Sequence, residues 1–409
     1  MESAGPPHPY LEEKTPHISL CRPGFEAPLR EELLSRAPPA VLFPSPQGGR
    51  PMQGEGWVAW EEAADDAAEA GGNRPLVFER QRLPAATFWE ERDCAALAER
   101  ITRRVLPQLA VRPPPYALHV FTPDPTGGKP QGTRAARLEA EVRGRWAQAQ
   151  PASHAALLPA ERFRGEGGRG SVWQLCLLAE GVWSALSPAE LLPELYPGGV
   201  HRMRMDHRAP SRAYLKIEEA LEVLGRQPRP RERAIDLGAA PGGWSYAFLK
   251  RGCRVLAVDR GPLKLTAPDT LAGTLTHLRE DGLRFRPPPG WLPVDWLLSD
   301  MLIPPGVCLG LLRKWLSGRW ARRFIVNIKL PQREPLVALR PVQALFEGVP
   351  GLHWRIRQLY HDRREVTAMG ELPAEALRPT KRGPVARPRP AERKRKKQGL
   401  AAARARGRS

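Results

Sequence analysis

The chain has 409 residues, 42% of them apolar, and a formal net charge of +19 at pH 7. Its length predicts two or more domains, its charge points to a polyanionic partner, and no run of about 18 uncharged apolar residues is present to span a membrane. Five cysteines (Cys21, Cys94, Cys176, Cys253, Cys308) lie far apart with no C-x-x-C pair, which argues against a disulfide framework or a zinc site and favours a reducing cytoplasm.

The opening MESAGPPHPYLEEKTPH has no basic stretch followed by an apolar one, so no secretory signal is expected. HISLCRPG then reads as a strand, FEAPLREELLSRA as a helix, and GWVAWEEA and PLVFERQRL as further strands, giving a small α/β unit over residues 1–90. A second unit is expected over 91–207. ERDCAALAERITRRVLPQL and RAARLEAEVRGRWAQA are its amphipathic helices. PPPYALHVFTPD brings a strand after a proline stop, and VWQLCLLAEGVWSAL a hairpin about Glu180-Gly181. Neither unit gathers polar groups suited to chemistry, so each reads as a binding module or a plain scaffold.

From about residue 208 the pattern changes. PSRAYLKIEEALEVLG predicts a helix closed by Gly225, and a Pro/Arg linker follows. RAIDLG, CRVLAVD, TLTHLRED, VDWLLSD, RFIVNIKL, HWRIRQLY and REVTAMG then read as strands, several of the first five ending in an acid or glycine. That is the pattern of a mostly parallel sheet with ligands at the strand C-termini, expected to extend to residue 378. Residues 379–409 form a tail with twelve Lys or Arg against one acid, Glu392. It is expected to be disordered, either as a solubilising extension or as a phosphate-binding arm.

The turn Gly238-Ala239-Ala240-Pro241-Gly242-Gly243 lacks both the G-x-G-x-x-G dinucleotide spacing and a Walker lysine. A glycine-rich turn alone signifies only tight packing, but its neighbours add meaning. Asp236 ends the first strand, Asp259 ends the second where a ribose diol would be met, and Asp281 closes the third where an adenine amino group would lie. The set suits an adenosine without phosphates. S-adenosylmethionine is such a molecule, its methionine end lying against Gly238, Ala240, Pro241, Gly242 and Gly243.

DLGAAPGGWS, the lysine of YLK, the SD of DWLLSD, the lysine of NIKLP and the acid of RREV together resemble the FtsJ-like RNA 2′-O-ribose methyltransferases. With the opening CRPGFE and the helix APSRAYLKIEEA, the resemblance to THUMP-containing members covers nearly the whole chain apart from the basic tail. It implies an α/β fold: a Rossmann-like class I methyltransferase domain preceded by ferredoxin-like and THUMP α+β modules. It also implies methylation of the 2′-oxygen of a cytidine in 23S ribosomal RNA. Lys216, Asp300, Lys329 and Glu365 match the family's Lys-Asp-Lys-Glu set, and Ser211 its cofactor-contact position. Lys329 would be the general base, because a ribose hydroxyl needs deprotonation and alignment while the sulfonium methyl is already electrophilic. Asp300 and Glu365 would orient the lysines and the ribose, Asp300 also lying beside the cofactor methyl, while Lys216, a second cation beside the base, would push the Lys329 pKa down against the pull of the carboxylates. Singly, each has a plainer reading: Lys216 as a solvated helix face, Glu365 as an ion-pair partner among arginines, Asp300 as a strand-end cap. A lysine in the apolar strand of Lys329 is harder to explain structurally.

Other chemistries fit less well. Amine methylation usually wants an (Asp/Asn)-Pro-Pro-aromatic tetrad after strand four, whereas Asp300 is followed by MLIPPG, with no aromatic to stack a base. Carbon-5 methylation needs an activated cysteine, and Cys308 has no evident activating partner. An RNA-binding scaffold with a silent methyltransferase fold, or an NAD-dependent oxidoreductase, stay open. Nothing in the sequence suggests a metal or fixes the oligomeric state.

Overall fold

A computed structural model describes residues 15–35, 40–43, 52–62, 76–123, 129–166, 169–265 and 271–377. The basic tail therefore lies outside the described residues, as does most of the Gly/Pro/Ala-rich stretch between 36 and 75.

The first sheet comprises β1 (His17–Leu20), β2 (Ala40–Leu42), β3 (Gln53–Gly54), β4 (Trp57–Glu62) and β5 (Gln81–Leu83), with α1 (Glu26–Leu34) packed against it. Its order is β2-β4-β1-β5, with β3 on β4. The expected strand PLVFERQRL is a strand only at its end. Residues 76–80 are instead buried loop, with the amides of Val77 and Phe78 donating to Glu32 at 2.6 and 3.2 Å. Their apolar character reflects burial between the two halves of the molecule rather than sheet pairing.

The second sheet has the order β6-β9-β8-β7, from β6 (Thr87–Trp89), β7 (Tyr116–Phe121), β8 (Ser171–Leu177) and β9 (Val182–Pro188). The β8–β9 hairpin turns about Glu180-Gly181 as the sequence predicts. Because β6 pairs with β9, the change of sheet comes ahead of residue 90. Two helices cover this sheet: α2 (Cys94–Ala110) and α3 (Lys129–Ala149), the latter beginning five residues before the expected start. Asp93 caps α2, accepting from the amides of Ala95 and Ala96 at 3.0 and 2.8 Å, a contact contributing about 1 kcal/mol. The short α4 (Pro151–Ala155) follows.

The third sheet carries seven strands, all at the expected segments: β10 (Arg233–Leu237), β11 (Arg254–Val258), β12 (Thr274–Leu278), β13 (Val294–Ser299), β14 (Ala321–Lys329), β15 (His353–Arg357) and β16 (Glu365–Glu371). Their order is β12-β11-β10-β13-β14-β16-β15. The first five are parallel, and β16 runs antiparallel to both β14 and β15. Helices α5 (Tyr214–Leu224), α6 (Gly243–Leu249), α7 (Pro305–Ser317) and α8 (Pro335–Glu347) complete this Rossmann-like layer structure. α8 buries Leu336, Leu339, Val342 and Phe346 at helical spacing, each such side chain stabilising by roughly 1.5–3 kcal/mol. One apolar cluster is continuous from Phe25, Leu29 and Phe78 to Leu312, Phe324 and Leu339, so the N-terminal sheet and the seven-stranded sheet share a core.

Candidate functional site

The strand order reverses between β10 and β13, and a sheet that reverses in this way opens a crevice at the C-terminal edge of its parallel strands. The loop after β10, Asp259 after β11, Asp281 after β12, Asp300 after β13 and Lys329 at the end of β14 all lie on that edge. β16 is antiparallel, so its first residue, Glu365, meets the same edge and pairs in register with Lys329. Topology alone therefore gathers the predicted residues.

The loop is shaped by what glycine permits. Gly238 has φ +73°, and a Cβ there would lie 2.3 Å from Met301 Cγ; at Gly243 a Cβ would lie 2.6 Å from Ser211 Oγ. Any side chain would fill the cradle. The loop is tied to β11: the Gly238 amide donates to the Val258 carbonyl at 2.9 Å, and the Ala240 amide to Asp259 Oδ2 at 3.0 Å. Asp259 Oδ1 accepts from the Gly261 amide at 2.7 Å. The carboxylate expected to meet a ribose thus first fixes the loop, and each oxygen keeps a lone pair for a hydroxyl. The Pro241 carbonyl accepts from the Lys264 amide at 2.8 Å. Asp281 accepts from the Leu283 amide at 2.9 Å and pairs with Arg260 at 2.9 Å, an exposed partner that the sequence reading did not name. Ser211 lies in a turn before α5 rather than within the helix. Its Oγ is buried without a hydrogen-bond partner, a group that a bound ligand at Gly243 would satisfy. Positive-φ glycines, an orphaned hydroxyl and two strand-end carboxylates fit S-adenosylmethionine.

Beside this loop, four charges close into a square. Lys329 Nζ is 2.5 Å from Asp300 Oδ1 and 2.6 Å from Glu365 Oε2. Lys216 Nζ is 3.3 Å from Asp300 Oδ2 and in contact with Glu365 Oε1. The four side chains are 11–19% exposed. Burial pulls the Lys216 ammonium down, but Asp300 and Glu365 outweigh it and hold it above the ordinary lysine value. Burial likewise raises Glu365, but hydrogen bonds from Lys216 and Lys329 more than reverse this and keep it below the ordinary glutamate value. Lys216 therefore acts as a fixed counter-cation for both carboxylates. Lys329 makes a third contact, to Asn327 Oδ1 at 3.2 Å.

Asn327 and Glu219 are not picked out from the sequence, and the surroundings of Asp236 and Cys308 are visible only in the structure. Asp236 is buried, and burial pushes its carboxyl up to about 7 against the hydrogen bond donated by Ser245 at 2.7 Å. Asn327 sits two residues before Lys329, and a period of two along β14 would have found it. Glu219, three residues after Lys216 on α5, accepts from the amides of Tyr360 and His361 at 2.7 and 3.0 Å. Cys308 is buried on the first turn of α7, and burial raises its thiol to about 12 despite nearby Lys329. A buried thiol raised in this way has the character of a packing residue. Among the described residues no cluster of His, Cys, Asp and Glu could hold a metal ion, and no helix is long and apolar enough to cross a membrane.

Residues 209–331 match the FtsJ-like methyltransferase family model. Over 368 residues the chain is 34% identical to ribosomal RNA large subunit methyltransferase M of Alkalilimnicola ehrlichii, spanning 88% of this chain and 95% of that one. The protein of the same name from Xanthomonas oryzae pv. oryzae is 33% identical over 365 residues, 86% of this chain and 98% of its own. That of Halorhodospira halophila is 43% identical over 190 residues, 46% of this chain and 54% of its own. A site built on one sheet edge and a third of all residues shared along nearly the full length of such relatives agree, and the chain belongs to the ribosomal RNA large subunit methyltransferase M family.

Proposed function

We propose that this chain methylates the 2′-oxygen of a ribose in 23S ribosomal RNA, at a cytidine as the family resemblance implies, with Lys329 as general base. The methyl donor is S-adenosylmethionine, which when bound supplies an activated methyl group beside Asp300. Gly238, Ala240, Pro241, Gly242, Gly243 and Ser211 hold its amino-acid end, Asp259 its ribose and Asp281 its adenine. The observation that carries the reading is the Lys216–Asp300–Lys329–Glu365 square at the mouth of the cofactor loop.

The square contains two positive and two negative charges. Lys216 stays charged and balances one carboxylate, so only one acid is left without a counter-cation in the state in which Lys329 acts as base. Neutral Lys329 then accepts the ribose hydroxyl proton, and Asp300 and Glu365 receive the new ammonium through short hydrogen bonds. Only groups already in place change charge, so little reorganisation is needed. The sheets of β1–β5 and β6–β9 correspond in this reading to the ferredoxin-like and THUMP modules, which present RNA to the edge, and the basic tail adds salt-sensitive affinity. A reducing cytoplasm, where ribosomal RNA is made, fits the five free cysteines.

The test is transfer of tritiated methyl from S-adenosylmethionine to 23S RNA, followed by alkaline hydrolysis. A 2′-O-methylated ribose leaves one alkali-stable dinucleotide. Label released as a mononucleotide places the methyl on a base and overturns the reading. Binding of S-adenosylhomocysteine with no transfer to naked RNA or ribosomal particles would make the chain a scaffold.

A further inference from the structure

Asn327 and Lys329 lie two residues apart on β14, so both side chains emerge on one face. The register pairs Lys329 with Glu365 and Asn327 with Thr367, which places a second polar layer behind the charged square. That layer is closed. Asn327 Oδ1 accepts from Lys329 Nζ at 3.2 Å, and Asn327 Nδ2 donates to Asp362 Oδ1 at 3.0 Å. Asp362 Oδ2 accepts from Thr367 Oγ1 at 2.9 Å and from the Leu359 amide at 3.0 Å. Asn327 is 1% exposed and Asp362 is fully buried. Such a carboxyl is costly to bury unless its position serves something.

Asp362 decides which end of the Asn327 amide faces the lysine. By accepting from Nδ2 it leaves the carbonyl oxygen, a pure acceptor, towards Lys329; a turned amide would set two N–H donors against a donor. Burial, with Glu365 and Glu219 nearby and Lys216 opposing them, pushes the Asp362 carboxyl well above the ordinary aspartate range. Thr367 Oγ1 both donates and accepts, so the Asn327 contact survives in either protonation state.

This matters at one moment of the reaction. When Lys329 is charged, Asp300 and Glu365 hold it through charge-assisted bonds. When it is neutral its hold on all three acceptors weakens, and it keeps two N–H donors and one lone pair, whose direction is set by which acceptors it retains. A lysine side chain has several freely rotating bonds, so a base less firmly held by its acids would wander. We infer that Asp362, acting through Asn327, is a positioning pair that keeps Lys329 Nζ aimed at the acceptor oxygen while the lysine is uncharged. The inference rests on Lys329 being the base.

The loop bearing Asp362 is itself fixed from two sides. Arg22 of the N-terminal sheet donates to the carbonyls of Tyr360 and Asp362, and the Gln358 amide donates to the Val77 carbonyl at 2.7 Å. From the other side Glu219 of α5 takes the Tyr360 and His361 amides. The N-terminal half thereby contributes to the setting of the base as well as to RNA binding.

The experiment is a pair of double-mutant cycles on the full chain, read by single-turnover methyl transfer at saturating RNA and S-adenosylmethionine. Asn327→Ala is expected to slow transfer about 30-fold and Asp362→Asn about 10-fold, and the double variant should be no more than about threefold slower than Asn327→Ala alone. On the residual activity of Lys329→Met, Asn327→Ala should cost under about threefold. Dissociation constants for S-adenosylhomocysteine and RNA should stay within about threefold throughout. Thr367→Val, which removes one Asp362 partner without changing shape, supplies a smaller graded loss should Asp362→Asn fold poorly. Losses that multiply in either cycle, or that appear in RNA affinity rather than in the saturated rate, overturn the inference. A wild-type chain inactive on every ribosomal RNA would overturn the functional reading and this inference with it.

Discussion

Replacing Lys329 by methionine keeps side-chain length and removes one charge and three hydrogen bonds, those to Asp300, Glu365 and Asn327. In the variant Asp300 and Glu365 share Lys216 alone, leaving one carboxylate uncompensated. For side chains 11–19% exposed, solvent screens part of that charge, and the loss of stability is about 1–3 kcal/mol. The fold tolerates this, because the surrounding strand is buried among Val326, Ile328 and Val366. Loss of a general base slows the saturated rate by roughly 10²- to 10⁴-fold. The loop from Gly238 to Gly243 and Asp259 are untouched, so S-adenosylhomocysteine affinity changes by less than about tenfold, or 1.4 kcal/mol. Rapid-quench transfer of tritiated methyl measures the first, and calorimetric titration the second. A folded variant transferring methyl within threefold of wild type would refute the base assignment. Parallel loss of rate and cofactor affinity would show that Lys329 supports the cofactor site instead.

Three further perturbations follow from particular contacts. Gly243→Ala would push Ser211 Oγ aside and is expected to weaken S-adenosylhomocysteine binding about tenfold or more, with Ser211→Ala costing a few-fold; calorimetric affinities unchanged in both would remove Ser211 from the cofactor site. His201 is buried: burial lowers its imidazole, but the hydrogen bond to Glu194 and the Glu222 carboxylate 3.4 Å from Nδ1 more than offset this and raise it to about 9. Its stabilisation is full below about pH 6.5 and is lost as pH rises through 9, up to about 3 kcal/mol; denaturant unfolding should show that decline in wild type and not in His201→Gln, and equal slopes would contradict it. Burial raises Asp236 to about 7, so wild type loses stability as pH rises from about 4 to 7, by at most about 4 kcal/mol. Asp236→Asn should gain on wild type across that window in melting experiments, and a constant gap would contradict the assignment.

The inner strands of the large sheet were legible because burial on both faces leaves short apolar runs, β11 and β13 ending at Asp259 and Asp300, whereas the edge strands β12 and β15 keep exposed positions. The charged square was legible only as a set of motif positions. What joins its members is the antiparallel β16, which turns the beginning of one strand toward the ends of five others. Period and composition do not reveal that reversal. The 76–80 segment misled because burial between two halves imitates a strand: the Val77 carbonyl accepts from the Gln358 amide at 2.7 Å, a contact with the C-terminal half. Asn327 and Asp362 were passed over because a polar residue inside an apolar strand, or a lone acid among arginines, has meaning only once its partners are known.

The most direct measurement is a crystal structure of the chain with S-adenosylhomocysteine and an RNA fragment containing the target nucleotide. The account predicts the target 2′-oxygen within hydrogen-bond reach of Lys329 Nζ, about 2.6–3.2 Å, in line with the cofactor sulfur over the Gly238–Gly243 loop. A base atom in that place, or a 2′-oxygen held away from Lys329 by another residue, would contradict it.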